Sequence, residues 1–314
     1  RDHRKLGKEL DLFHFDELAG SGLVLDHPKG ARALQLLIDW LRADLYDRGY
    51  FEVRTPHIYK ADVWKTSGHW DYYRENMYTF EVDEGEGKEP TEYAVKPMNC
   101  PGALLVYGSD VRSYRDLPMR LFEFGTVYRH EKSGVVHGLM RARGFTQDDA
   151  HIFCTAEQIV PEVKAMLDIV RFIMETFDFE FSAEVSTRPE KSVGAEEDWE
   201  TATKALMTAL DEWGLAYEIN EGDGAFYGPK IDIKVRDAIG RIWQLSTIQV
   251  DFNNPERFDI TYRTADNDEA RPFMLHRAIF GSMERFFGIL LEHTAGAFPV
   301  WMAPVQAVVI PIAD

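Results

Sequence analysis

The sequence predicts an α+β fold, an antiparallel β-sheet flanked by helices, on three observations. Leu121–Arg129 alternates apolar and polar residues, and Arg143–Phe153 is a second extended run. Between them Glu131–Ala142 is rich in glycine and charge, so the two runs read as one long hairpin. From Leu215 onward Ala225–Ile233, Arg241–Phe252 and Phe258–Arg263 read as strands in series, not as alternating strand and helix. Hairpins in series build antiparallel sheets. No glycine-rich phosphate loop of the mononucleotide or dinucleotide kind is present, so any nucleotide site must rely on other groups.

Taken in order, residues 1–29 open on a basic start, pass through Leu10–Phe15 and end in the breaker His27-Pro28-Lys29-Gly30. Residues 31–50 follow a helical period, with Leu34, Leu37, Ile38, Leu41 and Leu45 on one stripe. Gly49 ends that helix, and Tyr50–Val53 leads as a strand into Thr55-Pro56. Thr66–Asp71 reads as a turn of small residues carrying the His69 imidazole, for which capping or packing against Trp70 is the favoured reading over an exposed functional one. Glu81–Glu92 is an acidic surface loop between two strands. Lys96–Gly102 is a tight turn before a helix over 103–107. Cys100 at such a helix start is expected to gain thiolate character, a small core residue being the other reading. Cys154, on the apolar end of its strand, reads as core.

Thr155–Phe177 is predicted helical, with a capping box at Thr155 and Gln158 and a stripe of Ile159, Val163, Met166, Val170, Ile173 and Phe177. Pro161 marks a kink or the true start. Phe179–Val185 is a strand, Ser186–Lys191 a loop and Asp198–Gly214 a helix. Pro272–His293 shows a helical stripe of Phe273, Leu275, Ile279, Met283, Phe286 and Leu290.

An apolar content of 45% and a charged content of 28% are those of a soluble globular protein, and 314 residues can bury one large core or two modest ones. No run spans a bilayer and no secretory leader opens the chain, so no membrane is expected and the cytosol is. Two cysteines cannot make a disulfide framework. A net charge of −18 argues against sequence-independent nucleic-acid binding by the chain as a whole. The first residue is Arg and the last stretch, Pro304–Ile310, is an apolar run. Both ends read as those of an excised core, with 304–314 the start of a linker or strand into a further domain.

Against this acidic background the hairpin concentrates Arg129, His130, Lys132, His137, Arg141 and Arg143. Guanidinium forks suit a polyanion such as a triphosphate, because each can hold phosphate oxygens bidentately. Phe145 offers a flat face for a base, and Gln147, Asp148 and Asp149 offer polar contacts nearby.

Gly125-Thr126-Val127-Tyr128-Arg129-His130-Glu131, followed by Arg141–His151, resembles motif 2 of class II aminoacyl-tRNA synthetases. The run Arg143–Phe153 (RGFTQDDAHIF) is similar to threonyl-tRNA synthetases in particular. Motif 1 then falls at about 31–58, motif 2 at about 119–153 and motif 3 at about 272–293, inside a catalytic domain over 1–303. The class II fold, an antiparallel sheet flanked by helices and dimerising through the motif 1 region, is what the resemblance implies, and 304–314 would lead to an anticodon-binding domain.

The resemblance also implies roles. Threonine would be joined to the α-phosphate of ATP, with magnesium on the phosphates, and then passed to the 3′ end of tRNA(Thr). Arg129 would hold the α-phosphate and substrate carboxylate, and Arg141 and Arg285 the γ-phosphate. Phe145 and Arg285 would sandwich the adenine and Glu131 meet its edge. Gln244, Thr247 and Lys230 would line the phosphate and ribose side, and His69 would assist proton movement at the tRNA hydroxyl. Cys100, His151 and His276 match the family's three zinc ligands, a set that leaves a fourth position open. Met98, Gln147, Asp149, Tyr227, Gln249 and Ala278 match positions around threonine. Ala103 stands where many relatives carry His, and Leu245-Ser246 replaces smaller residues. Serine would be rejected by only about 1–3 kcal/mol, so editing is expected, and nothing in these residues resembles an editing site.

Overall fold

Two adjacent residues of a strand point to opposite faces, and the central sheet exploits this alternation throughout. The computed structural model describes residues 2–312; Arg1, Ala313 and Asp314, at the outer ends of the two expected ranges, lie outside them. Its main sheet has eight strands: β1 Phe51–Glu52, β2 Met119–Tyr128, β3 Gly144–Cys154, β4 Glu180–Ser186, β5 Tyr217–Asn220, β6 Lys230–Arg236, β7 Ile242–Asp251 and β8 Phe273–Ala278. Their order across the sheet is β5-β4-β6-β7-β8-β3-β2-β1. Every pair in the middle is antiparallel. Both edge pairs, β5 with β4 and β1 with β2, are parallel. At one edge a helix, Glu196–Trp213, carries the chain over from β4 to β5, and at the other the long excursion 53–118 separates β1 from β2, so neither pair is the tight hairpin that an antiparallel reading expects.

The helices that matter to the site are α1 His3–Glu9, α2 Pro28–Asp47, α3 Cys100–Tyr107, α4 Ile159–Thr176, α5 Glu196–Trp213 and α6 Met283–Thr294. The stripe on α2 buries Leu34, Leu37, Leu41 and Leu45, and that on α4 buries Ile159, Val163, Met166, Val170 and Ile173. They share one apolar cluster with alternate strand residues: Ala150 and Ile152 of β3, Ile231 and Ile233 of β6, Ile248 and Val250 of β7, Leu275 of β8. Each buried Leu, Ile, Val or Met among them contributes roughly 1.5–3 kcal/mol by leaving water. The residues between them therefore face the opposite side of the sheet.

Several local expectations shift. Pro28 does not break a segment but opens α2, where its missing N–H costs nothing. Gly30 sits in that first turn because a Cβ there would lie 2.0 Å from the Leu12 carbonyl oxygen. Residues 225–229 form a turn before β6, and 258–261 are not a strand. The run 272–293 is not one helix: Phe273–Ala278 is β8, and only Met283 onward is helical, capped by the Ser282 hydroxyl on the Arg285 amide. The capping box at Thr155 and Gln158 does form, on a short turn before α4, and Pro161 lies in the first turn of that helix. Residues 305–311 take no regular secondary structure. Among the described residues no helix is long and apolar enough to cross a membrane.

Candidate active site

Strand register alone gathers most of the candidate residues. Lys230, Gln249, His276 and His151 stand opposite one another across β6, β7, β8 and β3. Two residues along each strand, Asp232, Thr247, Ala278 and Asp149 form the next row. Cross-strand partners share a face, so both rows project away from the apolar cluster. A register shift between Asp232 and Lys234 places an extra residue in β7. This bulge lets Gln244 and Thr247, three apart, both reach Asp232 Oδ1, at 2.7 and 2.9 Å.

Above the first row is a small cavity of about 130 Å³. Cys100, His151 and His276 line it together with Met98, Gln147, Asp149, Tyr227, Gln249 and Ala278. Nearly every polar group here has a partner behind it. Asn99 Nδ2 donates to Asp149 Oδ2 at 3.0 Å, and the Tyr227 hydroxyl donates to Gln249 Oε1 at 3.0 Å. His276 Nε2 lies 2.8 Å from Asp251 Oδ2. Asp251 is itself fixed by the amides of Asn253 and Asn254. This carboxylate holds the ring and leaves Nδ1 as its free nitrogen, the arrangement common behind metal-binding histidines. Burial pushes the His151 imidazole down to about 4, so the ring is neutral and able to act as a ligand.

Cys100 corrects one expectation. It is the first residue of α3, but burial, with the charges of Asp149 and Asp251, pushes its thiol well up rather than down. A bound cation would reverse that sign. Cys100, His151 and His276 share a wall without their donor atoms converging within 4.8 Å. Among the described residues two other groups do so, Asp2–His3–Glu292 and Glu184–Asp223–Asp232. Those two are already neutralised by Arg241 on Glu292, Lys230 on Asp223 and Asp232, and Lys234 on Glu184. One thiol and two imidazoles fit zinc in chemistry, and binding requires the three to close toward the ion.

Next to this cavity, sharing Arg129, Gln147 and Thr247 with it, is a pocket of about 590 Å³. Glu131, Arg141, Phe145, Gln244 and Arg285 line it. The Arg129 guanidinium lies 5.1 Å from the Phe145 ring centre and donates from Nε to the Pro97 carbonyl at 3.0 Å. Arg141 pairs with Glu131 at 3.1 Å. Arg129 and Arg285 have no carboxylate partner among the described residues, and Arg285 Nε is buried without any hydrogen bond. Burial and the nearby Arg141 lower the Arg285 pKa from its ordinary value. Two partly buried cations held without counter-ions are costly unless an anion comes to them.

Two candidates stand apart. Lys230 lines neither cavity; its Nζ turns to Asp232 at 2.8 Å. His69 is buried, its ring edge-on to that of Trp64 rather than packed on Trp70, with Nδ1 2.7 Å from the Ser67 hydroxyl and Nε2 unpartnered among the described residues. Burial brings its pKa down to about 4.

Residues 78–294 match the family model described as the tRNA synthetase class II core domain (G, H, P, S and T). Threonine–tRNA ligase of Syntrophotalea carbinolica is 59% identical over all 314 residues, and that of Aquifex aeolicus 55% over 316 aligned positions. A solved threonyl-tRNA synthetase structure from Cryptosporidium parvum, described as its RNA-binding domain, superposes with a TM-score of 0.93 at 47% identity, covering 97% of this chain and 75% of that one. The chain belongs to the class II aminoacyl-tRNA synthetases, within the threonyl-tRNA synthetase family. It spans about half the length of the curated relatives it matches, 48% of the first and 49% of the second. A threonyl-tRNA synthetase of Aeropyrum pernix gives a TM-score of 0.86 at 34% identity, covering 97% of this chain and 72% of that one. Prolyl-tRNA synthetase of Giardia lamblia, at 19% identity with 96% of this chain and 55% of that one covered, shares the fold with a TM-score of 0.73.

Sequence reasoning misses the layer that supports this synthetase site. Asp148, expected as a polar contact for the ligand, instead points away from the pocket, accepts from the Ile279 and Phe280 amides at 2.8 and 3.0 Å, and faces the fully buried Arg277. Glu284 accepts the Thr146 amide with both oxygens. Asn99, Asp232 and Asp251 are the other three. The only local signal is Asp251-Phe252-Asn253-Asn254, where an aspartate before amides reads as a turn cap. The remaining contacts join strands distant in sequence.

Proposed function

We propose that this chain activates L-threonine with ATP to threonyl-adenylate and passes the threonyl group to the 3′ end of tRNA(Thr). The observation that carries this reading is the wall shared by the two cavities. Arg129 stands where an arginine-lined pocket opens onto a small cavity of fixed polar groups. The threonine carboxylate attacks the α-phosphorus, the new C–O–P link forms, and the bond to pyrophosphate breaks. Two anions approach in this step, and preorganised cations offset their repulsion. Arg129, with Nε committed to Pro97, turns its terminal nitrogens to the α-phosphate and carboxylate. Arg141 and Arg285 receive the triphosphate tail, whose magnesium travels with ATP. Phe145 and Arg285 hold the adenine between them, and Glu131 accepts from its amino edge. Asp232 orients Gln244 and Thr247 toward ribose and phosphate, and Lys230 acts on them through Asp232.

In the small cavity Cys100, His151 and His276 would hold a zinc ion, which when bound supplies an electrophilic centre for the amino and hydroxyl groups of threonine. Asp149, aligned by Asn99, accepts a proton-bearing group of the substrate. Met98 and Ala278 line the apolar side, and Gln249, held by Tyr227, closes the wall. Valine fits the volume but leaves Asp149 without a donor, a loss that discriminates strongly. For the transfer step His69, neutral near pH 7, offers its unpartnered Nε2 as an acceptor to the ribose hydroxyl. Homodimerisation through the motif 1 region is supported by the exposed apolar side chains of Tyr46, Phe51 and Ile58, beside the open edge of β1. Amino-acid-dependent ATP–pyrophosphate exchange tests the reading. Exchange with threonine, weaker with serine and absent with valine, is expected; exchange with another amino acid alone would discard the specificity.

A further inference from the structure

The loop that carries Arg141 is fastened to the N-terminal helix through one imidazole. His3, in the first turn of α1, is 1% exposed. Its main-chain N–H donates to Glu292 Oε1 at 2.8 Å, and its ring Nδ1 lies 2.8 Å from the same oxygen. Its Nε2 accepts the Leu139 amide at 3.1 Å. An accepting nitrogen carries no hydrogen, so the proton is on Nδ1 and the ring bridges α6 to the loop in one tautomer.

Leu139 lies inside a tight turn. The His137 amide donates to the Arg141 carbonyl at 3.1 Å, and the Met140 and Arg141 amides return to the His137 carbonyl at 3.0 and 3.3 Å. Gly138, within that turn, has φ +51°, and a Cβ there would lie 2.1 Å from His3 Nε2. Ring and turn thus meet with no room for another side chain. The far end of the loop is held by the same N-terminal segment, since the Arg143 amide donates to the Gly22 carbonyl at 2.7 Å. His137, Leu139, Met140 and Arg141 all line the larger pocket.

We infer that His3 is a positioning residue for the nucleotide pocket: by accepting the Leu139 amide it fixes the turn whose closing residue, Arg141, presents its guanidinium to the phosphates. This rests on the proposed placement of ATP in that pocket. His3 touches no substrate, so its effect is selective. It acts on the phosphate side and leaves the threonine cavity untouched.

Two substitutions separate this role from simple packing. His3→Gln keeps an acceptor that can reach Leu139, whereas His3→Asn keeps a donor for Glu292 and falls short of the loop. Hydrogen–deuterium exchange at the Leu139 amide is measured without nucleotide, and the KM values for ATP and threonine are measured by pyrophosphate exchange. In His3→Asn the Leu139 amide should exchange at least about tenfold faster and the ATP KM should rise about 3–10-fold, the cost of one lost hydrogen bond. The threonine KM should not move, and His3→Gln should restore the ATP KM to within about twofold. Equal behaviour of the two variants, a matching rise in the threonine KM, or unchanged Leu139 exchange would overturn the inference. Gly138→Ala attacks the same contact from the loop side if His3→Asn does not fold; an unchanged ATP KM there would also overturn it. Should the unsubstituted chain show no threonine-dependent exchange, the ATP reading fails, and Leu139 exchange still decides whether His3 holds the turn.

Discussion

The two cavities are built on different principles. The small one rests on the polar face of the central strands, and its side chains are braced from behind: Asp149 by Asn99, His276 by Asp251, Gln249 by Tyr227. The larger one is roofed by a loop and a helix start, and two of its three arginines have no carboxylate partner among the described residues. Bracing suits discrimination between amino acids that differ by a hydroxyl, because a fixed group left unpaired is expensive. Unneutralised charge suits a ligand whose charge is spread over phosphates and changes during reaction. On the proposed function, specificity and charge stabilisation fall to separate parts of one sheet face, joined at Arg129.

The division can be broken most forcefully at the proposed zinc ligands. Cys100→Ser should lose bound zinc, measured by elemental analysis, and collapse threonine-over-valine selectivity in pyrophosphate exchange by on the order of 10³-fold or more. Retention of both would remove Cys100 from the ligand set. At the junction, Arg129→Lys should lower turnover by about 10²–10³-fold with a much smaller change in ATP affinity, because a point charge replaces a fork. Equal losses in both would make Arg129 a ground-state binder only.

Beneath the braced cavity, Asp148→Ala leaves Arg277 buried without its counter-ion and two amides without acceptors. Urea unfolding should show a loss of about 3–5 kcal/mol; a change under about 1 kcal/mol would mean the sheet face does not depend on this layer. The smallest effect concerns acidity at the loop anchor. Burial, reinforced by His137 and opposed by Glu292 and Asp2, holds the His3 imidazole below its ordinary value of 6.5. Its contribution to stability is therefore complete above about pH 6.5 and is lost as pH falls through its lower folded value. The stability difference between the unsubstituted chain and His3→Gln should shrink on acidification from pH 8 to 5. A difference that grows would reverse the sign assigned here.

Long-period patterns are legible in the sequence. The stripes on α2 and α4 and the β2–β3 hairpin follow from spacing alone, because one buried face imposes one period. Residues 272–293 show the limit: a six-residue strand and a helix in succession place Phe273, Leu275, Ile279 and Met283 at spacings that mimic a continuous stripe. The β1 edge is read as a strand over 50–53 and forms over two of those residues, whereas the four-residue β5 at the other edge escapes notice because so short a run shows no clear period. For the site, resemblance names residues that the structure places along the two cavities, Lys230 and His69 aside. It does not name Asp148, Asp232, Asp251, Asn99 or Glu284, whose partners lie on other strands and turns. Cys100 shows the same point for charge, since its position at a helix start is local while the burial that outweighs it is not.

The separation of the two cavities is tested most directly by removing the zinc proposed for the smaller one. Nucleotide binding and threonine-dependent pyrophosphate exchange would be followed in parallel as zinc is chelated and then restored. Threonine-dependent exchange should fall with zinc content and return on its addition, while ATP affinity stays within about twofold. Loss of ATP binding in step with zinc, or threonine exchange that persists in the metal-free chain, would contradict the division.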